Sequence, residues 1–392
     1  MQIRARSLVQ GFSEVPASLI EDYLALPVAG ITPCVAEIGS VGASGDLIPL
    51  AHIARVLTGE GEAEFEGERF SAAAAVTRAS LQPRSLSGRE ALALTNGTSF
   101  LTAYAALAVA RAGRLLAHAE TLTGWMYRLL GARAAALDDR LHTLRGHPGQ
   151  QESARNIRHE ASRFGVSWED DTRPLQEIYS LRCAPQILGT CRANMSYSRE
   201  TIETEINGVS DNPLFVESDD GTECLHGGNF QGQQVAFAAD TLNAALVQTA
   251  VLAERQIDAL VTPGVTNGQA PLLLAWEPGA CSSLAGAQIT ATALVAEMRA
   301  HGQQYATFSI PTNGGNQDIV SMGSLAARMA YGQTKPLAAV LAVLTITLTQ
   351  FDFLCREGRA TGAPHPAPPG LFNPSLYEPL RGDRASAWTY AG

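Results

Sequence analysis

Residues 39–49 read GSVGASGDLIP, the one segment whose residue types make sense as covalent chemistry rather than packing. At its centre lie Ala43, Ser44 and Gly45. In a strained turn the Gly45 amide nitrogen, with no side chain to block it, can attack the Ala43 carbonyl and close a five-membered ring. Loss of two waters, one from the Ser44 hydroxyl, then leaves an exocyclic methylene, an electrophile that no ordinary side chain provides. Two plainer readings compete. Glycines at 39, 42 and 45 suit a phosphate-binding turn, but no Lys-Ser/Thr ending follows and no apolar strand precedes, so neither phosphate fingerprint fits. The other is a flexible linker.

Followed by PLAH, the stretch GSVGASGDL resembles the signature of the histidine, phenylalanine and tyrosine ammonia-lyases and the related 2,3-aminomutases. That family builds a 4-methylidene-imidazol-5-one group (MIO) from Ala-Ser-Gly, here Ala43, Ser44 and Gly45. The resemblance runs from Arg4 to about Leu354 and implies a mainly α fold: long near-parallel central helices in a bundle, with small β-hairpins. It also implies a tetramer whose active sites draw on several subunits.

Composition agrees with an enzyme. Against 28 Lys plus Arg stand 38 Asp plus Glu, so nucleic acid and anionic membranes are not the expected partners. Six cysteines lack any C-x-x-C spacing and no His-rich cluster accompanies them, which excludes a familiar zinc site and suits buried free thiols in the cytoplasm. No metal is expected. The N-terminus lacks an apolar core of signal-peptide length. Between Lys335 and Asp352 a chargeless run, too short for a comfortable membrane span, reads as a helix buried on all sides.

Without a clean linker, the chain divides into a reactive-loop region (1–86), a helical bundle (87–356) and a Pro/Gly-rich tail (357–392). Apolar spacing predicts helices over 18–30 and 47–57, and AEFEGERF a hairpin turning at Gly67. Ser87 and Glu90 form a capping-box pattern before an Ala/Leu-rich helix that Asn96-Gly97-Thr98 interrupts. Residues 99–131 continue as one or two helices with Leu101, Leu107, Leu115, Leu116, Leu122, Met126 and Leu129 as core. Residues 145–174, polar and broken by Gly and Pro, read as a long surface loop. A helix over about 199–207 leads to a two-strand signal around Asp220-Gly221, and long helices are expected over 235–259 and 280–300.

The chemistry-bearing residues divide by what supports them. Gln176, Tyr179 and Arg182 fall at i, i+3 and i+6, close to one helix face, and an Arg fork pairs both oxygens of a carboxylate. Spacing alone equally allows a structural ion pair. LQEIYSLRCAPQ, however, resembles the family's QDxYSLRCxPQ motif, with Glu177 in place of the commoner Asp, and this places all three in the active site. LALTNGT resembles the segment whose Asn contacts the MIO group, which assigns Asn96; the bare sequence favours a simple kink. Phe230 matches the aromatic of the family's GGNF motif, although the bare sequence favours a core position, and Leu47 joins the substrate-binding set. Glu297 occupies the place of an acidic residue that lies near the substrate amine in several members. Asn313, Asn316 and Gln317 supply neutral donors and acceptors for a bound zwitterion or phenol, and the same cluster equally suits a plain cap. Their segment, NQDIVSMG, resembles the NQDVVSMG form of tyrosine and phenylalanine enzymes rather than the NQEDHVSM of histidine lyases, so an aromatic substrate other than histidine is expected. Ile38, Ala91 and Cys281-Ser282-Ser283 depart from the family pattern.

The resemblance implies elimination of ammonia to an arylacrylate, or amine re-addition by an aminomutase. In this family a Tyr on a mobile N-terminal loop is the base, and no segment from Met1 onward resembles that loop. The expectation is a separate N-terminal polypeptide that supplies it, against a truncated gene model. A noncatalytic assembly subunit is the opposed hypothesis.

Overall fold

The chain approaches the reactive loop through α1 (Gln2–Leu8), α2 (Ala17–Val28) and a short strand, β1 (Thr32–Pro33), and leaves it through α3 (Leu47–Leu57). This computed structural model describes residues 1–163 and 172–356. Leu50, Ile53, Ala54 and Leu57, on one face of α3, are buried, and positive-φ Gly59 follows its C-cap Thr58, where no further turn forms. Then β2 (Glu62–Phe65) and β3 (Glu68–Ser71) pair antiparallel about Gly67, with β1 on the free edge of β2. Next come α4 (Ala72–Arg78) and α5 (Gly88–Thr95). The predicted capping box is present: Ser87 Oγ accepts from the Glu90 amide, and Glu90 Oε2 accepts from the Ser87 amide at 2.7 Å. Leu8, Leu19, Tyr23, Leu26, Val56 and Leu94 form the core of this region.

After the break at Asn96 the chain continues as one 32-residue helix, α6 (Ser99–Leu130). Its Leu107, expected in the core, is 52% exposed. There follow α7 (Asp139–Arg145), α8 (Pro148–Ser162), α9 (Tyr179–Arg182), α10 (Ala184–Asn207), the hairpin β4 (Leu214–Ser218) and β5 (Gly221–Leu225), α11 (Gln233–Leu260), α12 (Ala285–Ala300) and α13 (Gly323–Arg356). The architecture is mainly α with two small sheets, as expected. Residue contacts group it into two units: 1–109, 197–241 and 304–331 in one, and 110–196, 242–303 and 332–356 in the other.

Five expectations change. Residues 148–162 are a helix, not a surface loop: Pro148 opens it at a position that needs no amide donor. Glu120 of α6, itself buried, accepts from Ser153 and Asn156 of α8 and from Arg192 of α10. Gly149 and Gly189 also touch so closely that a Cβ on the first would lie 2.3 Å from the carbonyl oxygen of the second. The helix expected from about residue 199 starts at Ala184, and α12 starts at Ala285, leaving Cys281-Ser282-Ser283 in the turn before it. The apolar run after Lys335 belongs to a 34-residue helix. By length and composition alone α13, like Gly88–Leu130 and Gln233–Leu260, is long and apolar enough to cross a membrane; it buries Leu337, Leu341, Leu344, Leu348 and Phe351 but leaves Ile346 and Phe353 exposed. Of the cysteines, only Cys191 and Cys355 are buried; Cys224 and Cys281 are exposed. The Pro-rich tail expected from residue 357 lies outside the described residues.

Candidate active site

Gly45 has φ +71°, and a Cβ there would sit 2.2 Å from the Gly97 carbonyl oxygen, so no side chain fits where the triplet meets the α5–α6 break. The Asp46 amide closes that contact by donating to the same oxygen at 2.8 Å. The turn is held on its other side as well. Ser321 Oγ and the Gly232 amide both donate to the Gly42 carbonyl, at 2.9 and 3.1 Å, and Ala43 packs with Val320 and Met322. Three segments distant in sequence thus fix one tight turn, leaving Ser44 half-buried.

Two amide side chains reach Ser44. Asn96 Nδ2 donates to the Ser44 carbonyl at 2.8 Å, and Gln317 Nε2 donates to the Ser44 hydroxyl at 2.7 Å. The first follows from the helix break: Asn96 ends α5 outside helical geometry, so its side chain is not committed to the helix surface. Buried Arg4 fixes the break, donating from Nε to the Ala93 carbonyl at 2.6 Å and from Nη1 to the Ser210 carbonyl, which satisfies an acceptor left over at the end of α5. The second depends on the 312–317 loop. Thr312 and Gln317 pair through their backbones, and Thr312 Oγ1 donates to Gln317 Oε1 at 2.6 Å.

Asp46 was not singled out from the sequence, although it stands at the N-cap of α3. Its carboxylate instead caps α6, accepting from the Phe100 and Leu101 amides at 3.1 and 2.8 Å and from Ser40 Oγ at 2.7 Å. Burial pushes its pKa up to about 6, against the lowering pull of those three donors. Between about pH 4 and pH 6 the folded protein therefore keeps a proton that the unfolded chain has lost, so this group's contribution to stability declines as pH rises through that window. Asp46→Asn cannot titrate. We expect the stability of wild type relative to this variant to fall by on the order of 3 kcal/mol from pH 4 to pH 7, measured by urea unfolding at each pH; parallel curves would show that folding leaves the pKa of Asp46 at its ordinary value.

The proposed carboxylate receiver lies in the other unit. Only Tyr179–Arg182 is helical there, so Gln176 precedes the helix in a bend and does not share its face. Tyr179 is 69% exposed and lies under the Arg182 guanidinium, 5.0 Å from ring centroid to Cζ. Arg182 Nε donates to the Glu177 carbonyl at 3.2 Å. Glu177, noted only as a departure from pattern, is buried and pairs both carboxylate oxygens with buried Arg173, at 2.9 and 2.5 Å. Arg173 also donates to the Val265 carbonyl, Tyr127 to that of Leu181 and Gln256 to that of Ser180. These bonds fix the segment that presents Arg182.

The remaining candidates are less constrained. Leu47 opens α3 and is partly exposed, Phe230 is half-buried beside Gly232, and Asn313 and Asn316 are exposed in the turn that ends at Gln317. Glu297 is exposed on α12. Among the described residues no His/Cys/Asp/Glu cluster could hold a metal ion. The sequence carries no sign that Thr312 would clamp the amide five residues later; only the folded turn brings them together.

Comparison with known proteins identifies the family. The family model described as "Aromatic amino acid lyase" matches residues 1–366. Histidine ammonia-lyase of Geobacillus kaustophilus is 40% identical over 348 residues, covering 89% of this chain and 68% of the relative. Tyrosine ammonia-lyase of Cupriavidus metallidurans is 40% identical over 350 residues, covering 84% and 65%. Among solved structures, tyrosine aminomutase from Streptomyces globisporus superposes with a TM-score of 0.83 at 35% identity, over 92% of this chain and 71% of that one. The chain therefore spans about two thirds of the length of these relatives, and its mainly α architecture is the ammonia-lyase and aminomutase fold. It belongs to the aromatic amino acid lyase family.

Proposed function

We propose that the chain forms the core of a carbon–nitrogen lyase that eliminates ammonia from an aromatic L-amino acid to give an arylacrylate. The observation that carries this is the pair of amide donors on Ser44, one on its carbonyl and one on its hydroxyl, around a turn that admits no side chain at residue 45. The residues fit an MIO group made from Ala43, Ser44 and Gly45: the carbonyl that would remain after ring closure is the one Asn96 donates to, and the hydroxyl that would leave is the one Gln317 donates to. When formed, the group supplies an electrophilic carbon that takes up the substrate amine and makes it a better leaving group. The Arg182 fork pairs the substrate carboxylate, with Tyr179 beside it. Gln176, Leu47, Phe230, Glu297, Asn313 and Asn316 are proposed as further substrate-binding residues.

Among the described residues the side chains donating to Ser44 are amides, and an amide is not a base. We propose that a separate N-terminal polypeptide supplies the base that removes the β-proton. Tetrameric assembly, in the cytoplasm, is proposed as well; exposed apolar residues on the long helices, Leu107, Phe237 and Ile289 among them, support it.

NQDIVSMG favours tyrosine or phenylalanine as substrate. A histidine preference is the second reading, supported by the names of relatives such as that of Geobacillus kaustophilus, and the aminomutase outcome is supported by the structural likeness to tyrosine aminomutase. One incubation separates them: the chain, with and without a companion resembling the family's N-terminal region, is given tyrosine, phenylalanine and histidine and scored for arylacrylate and β-amino acid. We expect arylacrylate from tyrosine or phenylalanine, and only with the companion. Urocanate alone would reassign the substrate, β-amino acid would make the enzyme a mutase, and no product from either preparation would leave an assembly subunit.

A further inference from the structure

We infer that Gln317, oriented by Thr312, drives departure of the Ser44 hydroxyl while the backbone electrophile is being made, and that Thr312 is the positioning residue for this step. The inference rests on the proposal that Ala43-Ser44-Gly45 matures to an electrophile. Gln317 presents two chemically different ends, an oxygen that only accepts and an NH2 that only donates. Thr312 Oγ1 donates to the oxygen at 2.6 Å, so the NH2 is the end that faces Ser44, at 2.7 Å from Oγ. The backbone pairing of Thr312 with Gln317, 3.0 Å from the Thr312 amide to the Gln317 carbonyl, holds the two residues in register.

Polarity is the point. In the dehydration of Ser44 the Cα–H bond breaks and its proton goes to solvent water; the electron pair becomes the Cα=Cβ bond, and the Cβ–Oγ bond breaks. Oγ leaves with the bonding pair and takes a proton from solvent, so the sum is one water lost and no redox change. Charge develops on Oγ, and a fixed donor aimed at that atom stabilises it more in the transition state than in the ground state. A flipped amide would accept from the Ser44 hydroxyl instead, and would raise the electron density on a group that has to leave with electrons. In the orientation the fold shows, the Thr312 hydroxyl donates to the Gln317 oxygen and so holds the NH2 toward Ser44.

Intact-protein mass, followed over time from a short expression pulse, reads this step without any assay of turnover. Gln317→Glu keeps the size and the Thr312 contact but places an acceptor opposite Ser44. Its dehydration is expected to be slower by about 10²-fold, with a species that retains the Ser44 oxygen accumulating. Thr312→Val frees the amide to flip, and a slowing of about tenfold is expected; Thr312→Ser restores the wild-type rate. Circular dichroism confirms that each variant is folded, and if Thr312→Val is not, the isosteric Gln317→Glu carries the test. Complete loss of two waters at the wild-type rate in both variants overturns the inference while leaving maturation intact. Slowing in Thr312→Val that serine does not rescue removes Thr312 from the role. A wild-type protein of unmodified mass overturns maturation itself, and this inference with it.

Discussion

Ser44→Ala is expected to give a folded, helical protein whose mass shows no loss of water and whose lyase activity, assayed with whatever companion the wild type needs, is lower by roughly 10³-fold or more. The separation between the two effects follows from what the hydroxyl does in the fold. Ser44 is half-buried, and its Oγ receives one hydrogen bond, from Gln317, which contributes roughly 1 kcal/mol at most. The turn itself is held elsewhere, by Gly97, Gly232 and Ser321 against the backbone of residues 42–46. Removing one oxygen therefore leaves the scaffold in place and deletes the leaving group without which no exocyclic methylene can form. Intact mass, circular dichroism and product formation from tyrosine and phenylalanine are the three readouts. Wild-type activity in a folded Ser44→Ala protein would mean that the chemistry runs without the electrophile.

The parts legible in the sequence are those set by local patterns. The α3 helix follows from apolar spacing over 47–57, and the start of α5 from Ser87 and Glu90, because each pattern is satisfied within one or two turns. The helix α8 is different: its composition is polar, and it is held by Glu120, 33 residues from Ser153 in the chain, and by backbone contact at Gly149 and Gly189. None of those partners is visible along residues 145–174. The same holds at the site. The triplet and Asn96 could be singled out because their residue types are unusual where they stand. The tasks of Asp46 and Thr312 are decided by groups that folding brings to them, the α6 amides in one case and the Gln317 oxygen in the other. Gln176 shows the converse error, since regular i, i+3 spacing was extended into a segment where the helix had not yet begun.

Arg182→Lys is expected to lower kcat/KM by roughly 10²-fold, mainly through KM, with little change in melting temperature. Within the fold Arg182 makes one hydrogen bond, from Nε to the Glu177 carbonyl, and one stacking contact, over Tyr179. Tyr179 is largely exposed, and such a contact contributes roughly 0.5–1 kcal/mol, which a lysine ammonium partly reproduces. What lysine cannot reproduce is the planar fork. Among the described residues the two terminal nitrogens of Arg182 have no hydrogen-bond partner, so they remain available to both oxygens of a substrate carboxylate, whereas an ammonium offers a single point charge. The neighbouring pair provides the contrast. Arg173 and Glu177 are both buried and satisfy each other with two hydrogen bonds, so Glu177→Gln leaves a buried guanidinium without its counter-charge, at a cost of about 3–5 kcal/mol in stability. The two substitutions should therefore separate: Glu177→Gln lowers the melting temperature, and Arg182→Lys raises KM in a protein that melts normally. A large drop in melting temperature for Arg182→Lys with kcat/KM unchanged would place Arg182 with Arg173 in the scaffold, and the substrate carboxylate would need another receiver.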